Sequence, residues 1–220
     1  MQSTTQSHIQ ADQWLDIEPR RIATILHVIN RGWEICQKKP NVQSGTRENT
    51  LNECLRDGMR KAVNHQSSLG IMPKIQVLPT ALTRSTDVVS EPDGAPDIPV
   101  SFPKIFESTH DHNPHAYIEC KRIDGKRVQF KAYVEDGVDR FKSGQYGGHH
   151  LYGFMAAYLE SIDTIVAVNG INQFLETKHR QGEKLRPAPI LNAEWVRISQ
   201  HPRERGTVPI EIHHVFLSFK

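Results

Sequence analysis

The 220-residue sequence predicts an α/β protein: a central mixed β-sheet flanked by helices, with an N-terminal helical extension. Three observations predict it. Apolar residues recur every three or four positions over 17–38 and 47–65, the period of a helix with one buried stripe. Apolar and polar residues alternate over 98–102 and 115–123, the period of a strand. The run 151–159 is apolar on both faces, as a central strand is. Helices, then strands, then helix, strand, helix and strands is an order that packs helices on a mixed sheet.

Residues 1–15 are polar and are expected to be loose. In 17–38, Ile22, Leu26, Ile29, Trp33 and Cys36 form one stripe. Asp16 is placed to cap this helix, Pro19 is tolerated in its first turn, and Lys38-Lys39-Pro40 ends it. The second helix, 47–65, carries Leu51, Leu55, Met59 and Ala62 on one face. Residues 73–90 read as one or two strands, and Asp93-Gly94 as a turn. The strands at 98–102 and 115–123 follow, joined as a hairpin. Val134, Val138 and Phe141 are in phase for a short helix over 132–141, followed by the glycine-containing loop 143–148. A helix over 162–175, a polar basic loop over 176–190 and closing strands at 195–199 and 210–219 complete the chain.

Hydrophobic residues make up 37% of the chain, enough for a packed core and too many for wholesale disorder. The longest apolar run falls far short of the ~20 residues that cross a bilayer, and the N-terminus shows no secretory pattern. Three scattered cysteines do not make a disulfide framework and read as reduced thiols of a cytoplasmic protein. The net charge of +2 excludes a general polyanion coat; a polyanion would have to be met by a local patch.

One constellation carries chemistry: Pro96-Asp97 and, further on, Glu119-Cys120-Lys121. Glu119 and Lys121 are two apart on a predicted strand, so they share a face. Asp97 begins the preceding strand. Pairing those strands gathers two carboxylates and an ammonium on the polar side of the sheet, with Ile98/Val100 and Ile118/Cys120 buried on the other. Adjacent carboxylates raise each other's pKa unless a cation intervenes. A hard ion such as Mg²⁺ or Mn²⁺ satisfies them while keeping several waters. The Cys120 carbonyl is a further candidate ligand. Such an ion activates water and neutralises charge at a phosphate, and Lys121 is placed to orient or deprotonate that water.

The motif resembles that of the PD-(D/E)XK nuclease superfamily, which includes restriction endonucleases and defence-system nucleases. The resemblance rests on Pro96-Asp97 and Glu119-Cys120-Lys121 in consecutive strands after a helix, and spans 48–170 in architecture. It implies a restriction-endonuclease-like core over 46–220, with 1–45 as an extension for dimerisation or partner docking. Asp97 and Glu119 would be metal ligands and Lys121 the catalytic lysine. The implied activity is Mg²⁺- or Mn²⁺-dependent hydrolysis of DNA phosphodiesters in restriction or antiphage defence, by a homodimer or a subunit of a larger complex. The alternative is a catalytically silent nucleic-acid- or partner-binding module with the same fold. The superfamily often adds an acid from the preceding helix. Glu48 is in phase with the buried stripe of 47–65 and Glu53 is not, so Glu48 is preferred. Thr50-x-x-Glu53 as a capping box would instead leave Glu48 in the approach loop.

Basic residues cluster after the motif, and Arg122, Lys126 and Arg127 are candidate backbone contacts for a nucleic acid. Arg140, Gln145 in the glycine-containing loop, and His201 at a strand end are further candidates. The Lys178–Arg186 loop is a second basic patch. His110, His112 and His115 offer a competing zinc-hydrolase reading, while His149-His150 and His213-His214 are unassigned.

Overall fold

The computed structural model describes residues 15–67, 74–79, 95–109, 113–191, 193–203 and 208–219. Two long helices come first, α1 (Pro19–Cys36) and α2 (Glu48–Ser67). Strands β1 (Gln76–Val77) and β2 (Ile98–Ser101) follow, then α3 (Pro103–Thr109) and β3 (Ala116–Ile123). Helix α4 (Arg127–Tyr133) runs through a π-helical turn, Val134–Val138, into the four-residue α5 (Asp139–Lys142). Strand β4 (Tyr152–Leu159), helix α6 (Thr164–Thr177), a 3-10 turn at Gln181–Glu183 and strands β5 (Arg186–Pro187), β6 (Val196–His201) and β7 (Ile210–Ser218) complete the chain.

The strands form a seven-stranded mixed sheet in the order β1-β2-β3-β4-β7-β6-β5. Strand β4 lies at its centre, parallel to both β3 and β7; the remaining pairings are antiparallel. The parallel β3–β4 pair requires a crossover. The α4–π–α5 segment supplies it and so stands beside the strand that carries Glu119 and Lys121.

Both faces of the sheet are covered. One core joins α1 and α2 to Ile98, Val100, Ile118, Cys120, Phe154, Ala156 and Tyr158. The other joins α4–α6 to Tyr117, Met155, Ala157, Leu159 and Phe216. Ile98, Val100, Ile118 and Cys120 are buried as the alternation predicts. The face carrying Glu119 is not an open polar surface, however, because the crossover covers it: Ala116 to Cys120 are all buried. A strand between two helical layers has no solvated side.

The N-terminal helix packs into the body of the fold. Ile22, Leu26, Ile29, Trp33 and Cys36 are all buried in the same core as Cys120. The indole N–H of Trp33 donates to the Ser218 carbonyl at 2.8 Å, tying α1 to the end of β7. Each buried aliphatic side chain of this kind contributes roughly 1.5–3 kcal/mol. The stripe predicted from the helical period is thus the face this helix buries. Asp16 does not cap the helix: Glu18 is the N-cap residue, without a side-chain cap bond, and Pro19 stands at the helix start.

The helix 47–65 forms essentially as its periodicity predicts. It already includes Glu48, so Thr50 is not its N-cap. Three other expectations change. The link between β2 and β3 contains α3 rather than a simple hairpin loop. The predicted helix over 132–141 is longer and contains a π turn. The loop 176–190 contains a 3-10 turn and an edge strand. Much of the 73–90 reading, the Asp93-Gly94 turn, and His110 and His112 lie outside the described residues. Cys36, Cys54 and Cys120 are free and buried. Among the described residues, no helix is long and apolar enough to cross a membrane.

Helices α1 and α2 approach closely through Gly32 and Gly58. A Cβ on Gly58 would lie 2.1 Å from the Gly32 carbonyl oxygen, and one on Gly32 2.7 Å from the Met59 amide nitrogen. Those contacts are backbone, so relief requires the helices to separate. Gly58→Ala is expected to destabilise the protein by about 1–3 kcal/mol despite its better helix propensity, read as a lower urea midpoint. The exposed control Gly182→Ala, which meets nothing within 4 Å, is expected to leave that midpoint nearly unchanged.

Candidate active site

Strand register brings the motif together. The β2–β3 pairing sets Ile98 opposite Ile118, and Asp97, the residue before β2, accepts the backbone N–H of Cys120 on β3. Asp97 is locked by two donors. The Cys120 backbone N–H donates to its Oδ2 at 2.8 Å, and the Asn52 side-chain amide donates to its Oδ1 at 2.7 Å. Asn52 is itself held by the Tyr158 hydroxyl, which donates to the amide oxygen at 3.0 Å. Helix α2 and strand β4 thus both fix the orientation of Asp97.

Glu119 is 1% exposed. Its Oε1 accepts from Lys121 Nζ at 2.6 Å and from Arg140 Nη1 at 3.1 Å. Its Oε2 is buried with no hydrogen-bond partner among the described residues. Burial, reinforced by the neighbouring Asp97 charge, pushes the Glu119 carboxyl up to about 7, although Lys121 and Arg140 pull the other way. The Lys121 ammonium also lies 3.3 Å from the Cys120 carbonyl oxygen and 3.8 Å from Glu48 Oε1. Burial alone would lower the Lys121 pKa. The surrounding Glu119, Glu48 and Asp97 outweigh it and hold the pKa above its ordinary value. Lys121 is therefore an ammonium at neutral pH in this arrangement. It can orient a water or an anion, but it is not poised to take a proton.

Glu48, in the first turn of α2, joins the group as the helical phase predicts. Its Oε2 accepts the Arg122 backbone N–H at 2.9 Å while Oε1 faces Lys121. Glu53 points elsewhere and pairs with Arg56 at 2.6 Å, with its side chain 68% exposed.

The residues expected to contact nucleic acid fare differently. Arg140, on α5, reaches Glu119. Its Nη1 also donates to the Tyr146 hydroxyl at 2.6 Å, and its guanidinium lies over the Tyr146 ring. Arg122 is committed to a two-pronged pair with Glu160, at 2.7 and 2.6 Å, so its guanidinium is not a free phosphate contact. Lys126 is exposed and pairs with Asp124 at 2.7 Å. Arg127 is exposed at the start of α4, beside a 240 Å³ hollow lined by Phe130, Gly170 and Phe174. Gln145 is half-buried in the turn after α5, its backbone N–H facing Ser143 Oγ. His201 does not line the cleft: it is 1% exposed, and its ring nitrogens bond Glu183 and Ser199. The second basic patch is also largely neutralised, with Lys178 on Glu135, Arg180 on Asp139 and Glu183, and Lys184 on Glu176.

Of the histidines in the competing reading, His115 is buried and its Nδ1 accepts the Phe102 N–H at 2.8 Å. Among the described residues, no group of three or more His, Cys, Asp and Glu is arranged to hold a metal. A Mg²⁺ site asks for less, namely one or two carboxylates with waters. The donor chemistry here fits that demand. Glu119 Oε2 is a buried acceptor without a donor among the described residues, and Asp97 is close enough to raise the Glu119 pKa. Asp97, Glu119 and the Cys120 carbonyl are the groups that could hold such an ion.

Sequence reasoning missed Asn52, Tyr158 and Tyr146. A signal existed for two of them. Asn52 follows Glu48 by four residues, placing an amide in phase with the buried stripe. Tyr158 ends an apolar strand with a hydroxyl that needs a partner once buried. No family model, curated protein or solved structure matches this chain.

The Glu119 carboxyl ¹³C signal is expected to titrate with a midpoint near 7 in metal-free protein, and Asp97→Asn to lower that midpoint. The sign for stability follows. With a folded pKa above the unfolded value, the folded state holds the extra proton between about pH 4.5 and 7, so Glu119's contribution declines as pH rises through that window. Wild type is expected to lose stability relative to Glu119→Gln between pH 5 and 7, measured by urea denaturation.

Proposed function

We propose that the chain is a Mg²⁺- or Mn²⁺-dependent phosphodiesterase of the PD-(D/E)XK type that cleaves DNA, in the restriction or antiphage-defence setting that the resemblance implies. The observation that carries this reading is the buried Glu119 Oε2, without a hydrogen-bond partner among the described residues, beside an Asp97 tied to the Cys120 N–H, with the Lys121 ammonium on the same carboxylate. A structural ion pair has no use for an unsatisfied buried acceptor, which costs about 1–3 kcal/mol. A cation site does. The α/β sheet, with the motif on the antiparallel β2–β3 pair and a helical crossover to a parallel β4, supports the same reading.

Asp97 and Glu119 would hold the metal, with the Cys120 carbonyl as a third donor. When bound, the ion lowers the pKa of its water and offsets charge on the phosphate. Asn52 and the Cys120 N–H keep Asp97 aimed. Lys121, fixed as an ammonium, would orient the attacking water and stabilise the oxygens that gain charge as it adds to phosphorus in line. Glu48, 3.8 Å from the Lys121 ammonium, adds a second carboxylate that holds it charged. Arg140 is the cation best placed to meet the phosphate.

One observation favours a second reading, a silent module that binds nucleic acid or a partner. Glu119 is already neutralised by Lys121 and Arg140, and Arg122 is tied to Glu160. Such a module would bind DNA equally with and without metal.

Plasmid and linear DNA cleavage in Mg²⁺, Mn²⁺ and EDTA separates the two. Metal-dependent cleavage is expected, reduced at least about 100-fold in each of Asp97→Asn, Glu119→Gln and Lys121→Met. Cleavage indifferent to all three substitutions would remove these residues from the chemistry. DNA binding without metal dependence or cleavage would select the silent module.

A further inference from the structure

The three charged residues of α5 are engaged in two directions. Arg140 points to Glu119 and Tyr146. Asp139 and Lys142, three apart and so on a common face, point to a separate ion cluster. Arg180 clamps Asp139 through two bonds of 3.0 and 2.7 Å, and Lys142 Nζ donates to Glu183 Oε1 at 3.1 Å. Glu183 is the hub of that cluster. It is 6% exposed and also accepts from Arg180 and from His201 Nδ1.

The hub continues inward. His201 Nε2 lies 2.6 Å from Ser199 Oγ, which lies 2.7 Å from His214 Nε2. His214 Nδ1 lies 2.8 Å from the Tyr133 hydroxyl, at the end of α4. Burial lowers the pKa of both histidines, so both rings are neutral at pH 7, each with one donor and one acceptor. Only one direction then satisfies every group. Tyr133 O–H donates to His214 Nδ1, and His214 Nε2–H donates to Ser199. Ser199 O–H donates to His201 Nε2, and His201 Nδ1–H donates to the Glu183 carboxylate. Ser199, His201 and His214 are each 2% exposed or less, so this serine–histidine–carboxylate series reaches no substrate. Instead it anchors both ends of the α4–π–α5 segment: Tyr133 before the π turn, Asp139 and Lys142 after it.

We infer that Glu183 is a positioning residue for the candidate active site. Through Lys142 and Arg180 it fixes α5, and α5 sets where the Arg140 guanidinium stands against Glu119. The π turn gives this anchoring a purpose. A π segment breaks the regular hydrogen-bond ladder and is marginal alone, so a cation carried just beyond it needs a second hold. The geometric inference concerns Arg140 itself; its consequence for DNA cleavage rests on the proposed nuclease reading.

The test combines a spectroscopic readout with a double-substitution cycle. In full-length ¹⁵N-labelled protein, the Arg140 side-chain N–H signals are expected to be resolved and slow to exchange, and Arg140→Ala assigns them. Glu183→Gln is expected to broaden or lose them while the chemical shifts of α1 and α2 stay in place. Should Glu183→Gln fail to fold, Lys142→Met cuts the same link from a more exposed side chain and is expected to act alike. Glu176→Gln, which breaks the Lys184 pair without touching α5, is expected to leave them unchanged. In cleavage assays, Glu183→Gln or Lys142→Met is expected to lower kcat/KM about tenfold and to have little further effect on Arg140→Ala. Unchanged Arg140 signals in a folded Glu183→Gln or Lys142→Met protein would overturn the inference, as would full additivity with Arg140→Ala. Loss of the signals in a protein whose wild type cuts no DNA in any metal would uphold the positioning role and defeat the nuclease reading.

Discussion

A carboxylate with almost no access to solvent organises this structure. Glu119 lies in the middle of a strand covered on both faces, where an unpaired charge would cost several kcal/mol. Two cations answer it on one oxygen, from opposite sources: Lys121 from the same strand and Arg140 from the crossover helix. The neighbouring Asp97 works against this balance, which is why Glu119 sits near 7 rather than in the usual carboxylate range. Lys121 needs Glu48, and Asp97 needs Asn52, which in turn needs Tyr158. Helices α2 and α5, strands β3 and β4 and the residue preceding β2 are thus committed to one small polar group.

The balance is incomplete on one atom. Oε2 of Glu119 has no donor among the described residues, while most of the basic side chains considered as nucleic-acid contacts are paired. Arg122, Lys178, Arg180 and Lys184 look like a polyanion surface in the sequence and behave as internal or surface ion pairs in the fold. Lys121 and Arg140 are the cations that stand beside Glu119, and both are paired with it.

The two halves of the molecule carry different kinds of polar order. On the α2 side, short bonds fix Asp97 directly. On the α4–α6 side, Glu183, His201, Ser199, His214 and Tyr133 form a chain with one consistent donor direction, far from solvent. Buried polar groups are retained only when satisfied, and this chain satisfies every member while pinning the helix that carries Arg140.

Much of this protein is determined by local sequence. The helical stripes of α1 and α2 are set by period alone, as is the both-face apolar run of β4, because burial demands the same spacing wherever the element packs. The same holds for Glu119 and Lys121 sharing a face, and for Glu48 rather than Glu53 turning inward, since both follow from fixed side-chain phase. Tertiary structure decided the rest. Whether the Glu119 face is open or covered depends on where the crossover lands. Whether Arg122 or Arg140 meets the site depends on Glu160 and Glu119, acids distant in sequence that compete for them. His201 reads as a loop-side ligand by position, yet it is buried because β6 pairs with β7 and the turn at Glu183 closes over it. Partners such as Asn52 for Asp97 and Glu183 for α5 come from 45 and 41 residues away, and no local pattern records such pairings. Periodicity fixes which way a side chain points; only the packed sheet fixes what it meets.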